Sequence, residues 1–275
     1  ITNDVALIGT MGQAIAVGGE GEIYQTTDIT TPNNWSSSSK ISAFELADAQ
    51  MVTSKTGYAV GSKNNILKTT DGGISWVFQG TPLLNQNWKS VNFINETNGV
   101  AISDDAIVYT VDGTNWKEVS GNALALYNDV AMYNKTTAYI SGENSGTGEI
   151  IKVDLSGPTP QASLVFIDGG VPNSLNAITK VRHETTAQTG SMFAVGDNGT
   201  IVEYNTSLPN PWLLNPASDN SSSNFKDVKF TDYITGYAVG ESGSILKTTN
   251  RGQSWFDFSL NQPTGEDLVH IDFTN

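Results

Sequence analysis

Gly57-Tyr58-Ala59-Val60-Gly61-Ser62-Lys63-Asn64-Asn65-Ile66-Leu67-Lys68-Thr69-Thr70-Asp71-Gly72-Gly73-Ile74-Ser75-Trp76 returns near the end of the chain. The second copy reads Gly236-Tyr237-Ala238-Val239-Gly240-Glu241-Ser242-Gly243-Ser244-Ile245-Leu246-Lys247-Thr248-Thr249-Asn250-Arg251-Gly252-Gln253-Ser254-Trp255. Each copy alternates apolar and polar residues over a few positions, breaks at Gly, Ser or Asn, alternates again, and breaks at Asp/Asn-x-Gly. This is a strand–turn–strand–turn unit. A unit that recurs at wide spacing stacks one module on itself.

Weaker copies fill the interval. Ala16–Asp28 closes on Trp35, Val100–Gly113 closes on Trp116, and these tryptophans with Trp76 are spaced by 41 and 40 residues. A fourth copy (Ala138–Gly142, Glu149–Asp154) has lost its Trp, and a fifth (Phe193–Tyr204) closes on Trp212. A short alternating run precedes each copy: Asp4–Leu7, Asp48–Met51, Ser90–Phe93, Asp129–Met132, Ala177–Lys180 and Asp227–Phe230. No long segment carries apolar residues at helical spacing. Four short strands in a period of roughly 40–45 residues are the mark of a β-propeller blade. The expected fold is all-β: one propeller domain over 1–275, with four-stranded blades at 1–40, 41–83, 84–121, 122–170, 171–220 and 221–264. Residues 265–275 read as a seventh copy of the first strand. They close the ring on blade 1, or else they begin a seventh blade that is complete or truncated.

Thr69–Trp76 resembles an Asp-box, the Ser/Thr-x-Asp-x-Gly-x-Thr-Trp hairpin of bacterial-neuraminidase-type repeats. Thr248–Trp255 matches with Asn250 in place of Asp, Thr110–Trp116 is one residue short, and Thr26–Trp35 carries a two-residue insertion. The longer Gly-Tyr-Ala-Val-Gly…Ile-Leu-Lys-Thr-Thr-Asp-Gly-Gly pattern is similar to photosystem II assembly-factor-like propellers. The resemblance implies a structural role for Asp28, Asp71, Asp112 and Asn250 on the outer rim. Their side chains accept turn amides while Gly supplies positive φ, and Trp35, Trp76, Trp116 and Trp255 fill the wedges between blades.

Composition narrows the function. The chain carries 14 Lys and Arg against 28 Asp and Glu, a net charge of −14. That balance disfavours nucleic acid and anionic membrane surfaces. Absence of cysteine removes disulfides and thiolate chemistry, and no apolar run is long enough for a membrane span. A start at Ile1, without Met or a leader, suggests a processed protein or a domain of a longer one. Asn-x-Ser/Thr triplets begin at Asn34, Asn95, Asn134, Asn198, Asn205 and Asn220. In a chain this rich in those residues, chance accounts for them.

Asp-box sialidases hold the substrate carboxylate with three arginines; this chain has only Arg182 and Arg251. Lysine does not replace bidentate guanidinium contacts, so sialidase activity is excluded. A glycosidase needs two carboxylates roughly 5–10 Å apart, and no motif selects a pair. His183 and His270 lie outside any nucleophile-elbow context. Aligned first strands place Asp4, Asp48, Ser90, Asp129, Ala177, Asp227 and His270 in one column. Lining a channel, Asp4, Asp48, Asp129 and Asp227 would attract a hard cation, or each would satisfy amides at its own strand start. The segment Ser141–Glu149 is longer than its counterparts and reads as a loop, either carrying a binding contact or tolerated as an insertion. No motif implies a cofactor or a catalytic residue. The expectation is a non-enzymatic binding or assembly module of an exported, surface or periplasmic structure, offering loops to a protein or glycan partner. A structural or receptor-binding module of a phage tail or fibre within a virion, and a carbohydrate-active hydrolase, are the alternatives.

Overall fold

A computed structural model describes residues 2–8, 12–31, 34–38, 44–121, 126–165, 167–168, 170–181, 191–206, 208, 211–216, 222–259 and 265–273. Arg182 and His183 lie outside the described residues. Six sheets, antiparallel apart from one outer pair in blade 5, form a six-bladed β-propeller. The innermost strands are Thr2–Ile8, Leu46–Met51, Ser90–Phe93, Leu126–Asn134, Leu175–Lys180 and Phe225–Phe230. In each blade three further strands follow outward in sequence order, as in blade 2 with Gly57–Gly61, Ile66–Thr69 and Val77–Phe78. The repeated Gly-Tyr-Ala-Val-Gly run is the second strand, paired Gly57↔Met51 and Val60↔Asp48. Its final glycine is a packing requirement, because a Cβ on Gly61 would collide with the Glu45 carbonyl.

Blade 5 departs from the expected pattern. Ile167–Asp168, expected at the end of unit 4, pairs parallel with Trp212–Leu213 as a fifth strand at the blade's outer edge. Ser141–Glu149 is a hairpin and not a loop: Thr137–Asn144 and Thr147–Asp154 pair without interruption to Asn144↔Thr147. Ser145 and Gly146 supply the positive φ, 52° and 82°, of its tight turn.

Apolar side chains meet between blades. Five buried clusters occupy the junctions 1–2, 2–3, 3–4, 4–5 and 5–6. Trp76 joins Ile15 and Val17 of blade 1 in the first, and Trp116 joins Tyr58 of blade 2 in the second. Residues 265–273 belong to no sheet. They lie between the inner strands of blades 6 and 1, with side-chain bonds to both. Leu268 N adds a backbone bond to the Gly240 carbonyl of blade 6, and no strand ladder forms with either blade, in place of the pairing with blade 1 that the sequence suggested.

Candidate functional site

The inner strands enclose a channel of about 890 Å³. In five blades a β-bulge falls immediately before the column residue, at Asp4, Asp48, Asp129, Ala177 and Asp227. A bulge bends the strand and re-aims the next side chain, which turns each of these residues toward its neighbour.

The carboxylates reach across blade boundaries. Asp4 Oδ2 accepts the Ala49 amide of blade 2 at 2.8 Å, and Asp48 Oδ2 accepts the Val91 amide of blade 3 at 2.7 Å. Asp129 Oδ2 accepts the Ile178 amide of blade 5 at 2.8 Å, and Asp227 Oδ2 accepts the Ile271 amide at 3.0 Å. Ser90 crosses its boundary by donating its hydroxyl to Asp129 Oδ1 at 2.7 Å, and Ala177 has no polar side chain to extend. The Val130 and Val228 amides are instead taken by their own neighbours, Asp129 Oδ1 at 2.8 Å and Asp227 Oδ1 at 2.7 Å. The expectation that each Asp serves its own strand start describes only these two contacts. A second tier repeats the reach two residues on: Phe93 N donates to Gln50 Oε1 at 2.6 Å, Met132 N to Asn92 Oδ1 at 2.9 Å, and Leu7 N to Asp272 Oδ2 at 2.9 Å.

His270 stands between two of the four carboxylates, with Nε2 2.7 Å from Asp4 Oδ1 and Nδ1 2.9 Å from Asp227 Oδ2. Burial alone would lower its pKa, but the bonds and charges of Asp227 and Asp4 raise it from 6.5 to about 11. Burial likewise pushes Asp4 and Asp227 up. His270 outweighs it at both, aided by Lys229 at Asp227, and holds them below the ordinary carboxylate value. Asp48 is pushed well above that value by burial and by the charge of Asp4, and Asp129 is raised by burial. Burial opposes the charge of Lys229, yet Asp227, Asp272, Asp129 and Asp48 together raise its pKa.

Among the described residues, no three His, Cys, Asp or Glu converge as ligands for a metal ion. The acidic column is arranged to bind backbone amides and two cationic side chains. Lys229 and Asp272 were missed from the sequence. The available signal was polarity two residues after the column, at Gln50, Asn92, Thr179, Lys229 and Asp272.

The Asp-box residues form a separate set at the outer turns. Asp71 Oδ1 accepts the Thr69 hydroxyl at 2.8 Å and the Ser75 amide at 2.9 Å, and Trp76 Nε1 donates to the Gly73 carbonyl at 3.1 Å. Asn250 repeats this with Thr248 and Ser254, both at 3.0 Å. Asp112 Oδ1 accepts the Thr114 and Asn115 amides, and Asp28 accepts the Thr30 amide and the Thr30 and Thr31 hydroxyls. Hydrogen bonds from Ser75, Asn115 and Thr30 lower the pKa of Asp71, Asp112 and Asp28 respectively. Trp76, Trp116 and Trp255 are buried; Trp35 is 41% exposed.

No protein-family model matches the chain, and no curated protein matches it in sequence. Solved structures do match in fold. YCF48 from Cyanidioschyzon merolae superposes with a TM-score of 0.72 at 14% identity, over 99% of this chain and 89% of that one. YCF48 bound to a D1 peptide superposes with a TM-score of 0.68 at 16% identity, over 93% and 80%. The chain is thus structurally similar to YCF48, in agreement with the resemblance read from its repeats. Among the described residues no helix is long and apolar enough to cross a membrane.

Proposed function

We propose that this propeller is a non-enzymatic binding and assembly module of an exported or surface structure, offering a rigid scaffold to a protein partner. The observation that carries the reading is that a propeller of the same fold was solved with a peptide bound. The channel chemistry points the same way, because Asp4, Asp48, Asp129 and Asp227 each hold a backbone amide of the neighbouring blade or segment. A group so engaged is poorly placed to transfer protons to a substrate. Recognition is then left to loops and edges on the rigid sheets.

The test is cross-linking mass spectrometry of the protein in its native extract, together with hydrolysis assays on a glycan panel. Reproducible cross-links from propeller surfaces to one protein species support the module. Turnover of a glycan, abolished by a channel carboxylate substitution that leaves the fold intact, would replace it with a hydrolase.

A further inference from the structure

Two residues beyond the channel column, Gln50, Asn92 and Asp272 each take an inward-facing amide of the next inner strand, those of Phe93, Met132 and Leu7. Blade 5 carries Thr179 at this position. Its counterpart across the boundary is the Phe230 amide, since Phe230 pairs with Gly236 as Phe93 pairs with Gly99. That amide therefore also faces the channel, and no described side chain accepts it. Thr179 is only 7% exposed and lines the channel, yet its hydroxyl makes no hydrogen bond among the described residues.

Three more polar groups on the channel wall are open. Lys229 Nζ is drawn inward by the charges of Asp227, Asp272, Asp129 and Asp48. It hydrogen-bonds to no described residue and lies outside ion-pair distance of every described carboxylate. Asn92 Nδ2 and Asp272 Oδ1 are likewise without a partner among the described residues, because only the other atom of each side chain is engaged. Enclosed polar groups left unmet are unfavourable, so water or a ligand must answer them.

The surrounding charges decide which ligand. Lys229 and His270 repel a further cation, while Asp4, Asp129, Asp227 and Asp272 repel an anion. A hydroxyl carries no charge and both donates and accepts. The channel, at about 890 Å³, has the capacity of a small-molecule site. We infer that Asn92, Thr179, Lys229, Phe230 and Asp272 form a binding site for an uncharged polyhydroxylated molecule of hexose size. Its hydroxyls accept from Lys229 Nζ, Asn92 Nδ2 and the Phe230 amide, and donate to Asp272 Oδ1. The Thr179 hydroxyl completes the set as donor or acceptor. The site goes beyond the assembly role, which leaves partner contacts to outer loops and edges, and its failure would not touch that role.

The probes are D-glucose, D-galactose and D-mannose, titrated into the 275-residue chain and followed by NMR at the Phe230 amide and the Thr179 methyl. At least one sugar should shift both signals saturably, and its amino-sugar and uronic-acid forms should bind at least ten-fold more weakly. Thr179→Gln gives blade 5 the side chain with which blade 2 holds the Phe93 amide. It should cap the Phe230 amide, melt no lower than the parent, and weaken the sugar at least ten-fold. Thr179→Val removes the hydroxyl at nearly constant shape and should weaken the sugar several-fold, which decides the matter if the Gln variant folds poorly. No saturable shift with any of the three sugars would show a channel that holds only water and overturn the site. Unchanged affinity in a folded Thr179 variant, shifts confined to residues outside the channel, or equal binding of the charged forms would overturn it as well.

Discussion

His270 Nδ1 lies 2.9 Å from Asp227 Oδ2, and through this pair the last described segment is charge-locked to blade 6. The pKa of His270 rises on folding from 6.5 to about 11, so its stabilisation is complete below pH 6.5 and is lost as pH climbs toward 11. Asp4 and Asp227 are lowered from 3.8, so theirs is complete above that value and is lost on acidification. The triad is therefore at full strength between about pH 4 and 6.5. His270→Gln should cost about 3–5 kcal/mol there, as expected when one member of a buried ionic network is removed. Thermal unfolding at pH 5.5, 8 and 10.5 checks this: the deficit should shrink at each step.

Asp48 predicts the opposite sign. Burial and the charge of Asp4 raise its pKa well above 3.8, so its ionised form disfavours the fold at neutral pH. Asp48→Asn keeps an oxygen for the Val91 amide. It should match the parent near pH 3 and unfold at a higher temperature at pH 8. A lower melting temperature at pH 8 would show that this carboxylate works as an anion.

The Asp-box carries its own control, since Asn250 does in blade 6 what Asp71 does in blade 2. Asp71→Asn should change stability by less than about 0.5 kcal/mol. Asp71→Ala strips an acceptor from the Ser75 amide and the Thr69 hydroxyl and should cost about 1–2 kcal/mol. Urea unfolding of the two variants separates acceptor geometry from charge.

Tyr58 and Tyr237 occupy equivalent places in their blades. The Tyr58 hydroxyl is buried against the Glu96 and Gly113 carbonyls at 2.9 and 3.0 Å. Tyr58→Phe takes the hydroxyl donor from the Glu96 carbonyl, leaving Gly113 with Lys68 Nζ, and should cost about 1–2 kcal/mol. Tyr237→Phe should cost less than about 0.5 kcal/mol. Comparable losses at both positions would mean that the Tyr237 hydroxyl has a partner in the folded chain.

The strands and tight turns were legible because alternation and Gly-rich punctuation persist through six copies. The column of Asp4, Asp48, Asp129, Asp227 and His270 was legible too, since the first strands align residue by residue. What each carboxylate touches was not, because the reach to the neighbouring blade depends on the distance between blades, which no local pattern encodes. Ile167–Asp168 gave no signal: two residues are too few for alternation, and their partner is 45 residues away. Ser141–Glu149 was misread because Gly142, Gly146 and Gly148 resemble loop punctuation. Gly148 is a glycine for another reason, since a Cβ there would strike the Asn173 carbonyl. Trp88, among the largest fully buried side chains, lies outside the repeated motif and drew no notice.

The attachment of residues 267–273 by scattered contacts, without a strand ladder, has a temporal consequence. Strands inside a blade open only when a ladder of backbone bonds breaks, but the junction of blades 6 and 1 releases once Asp267, Leu268, His270, Asp227 and Asp272 let go of their few contacts. Opening should start there and spread inward as the lowest-energy excursion of the native protein, while blades 2 to 5 stay closed. During folding the same contacts are expected to form last, after the blades that receive them. The ring thus has a fixed point of entry and exit, a hinge in time at one junction.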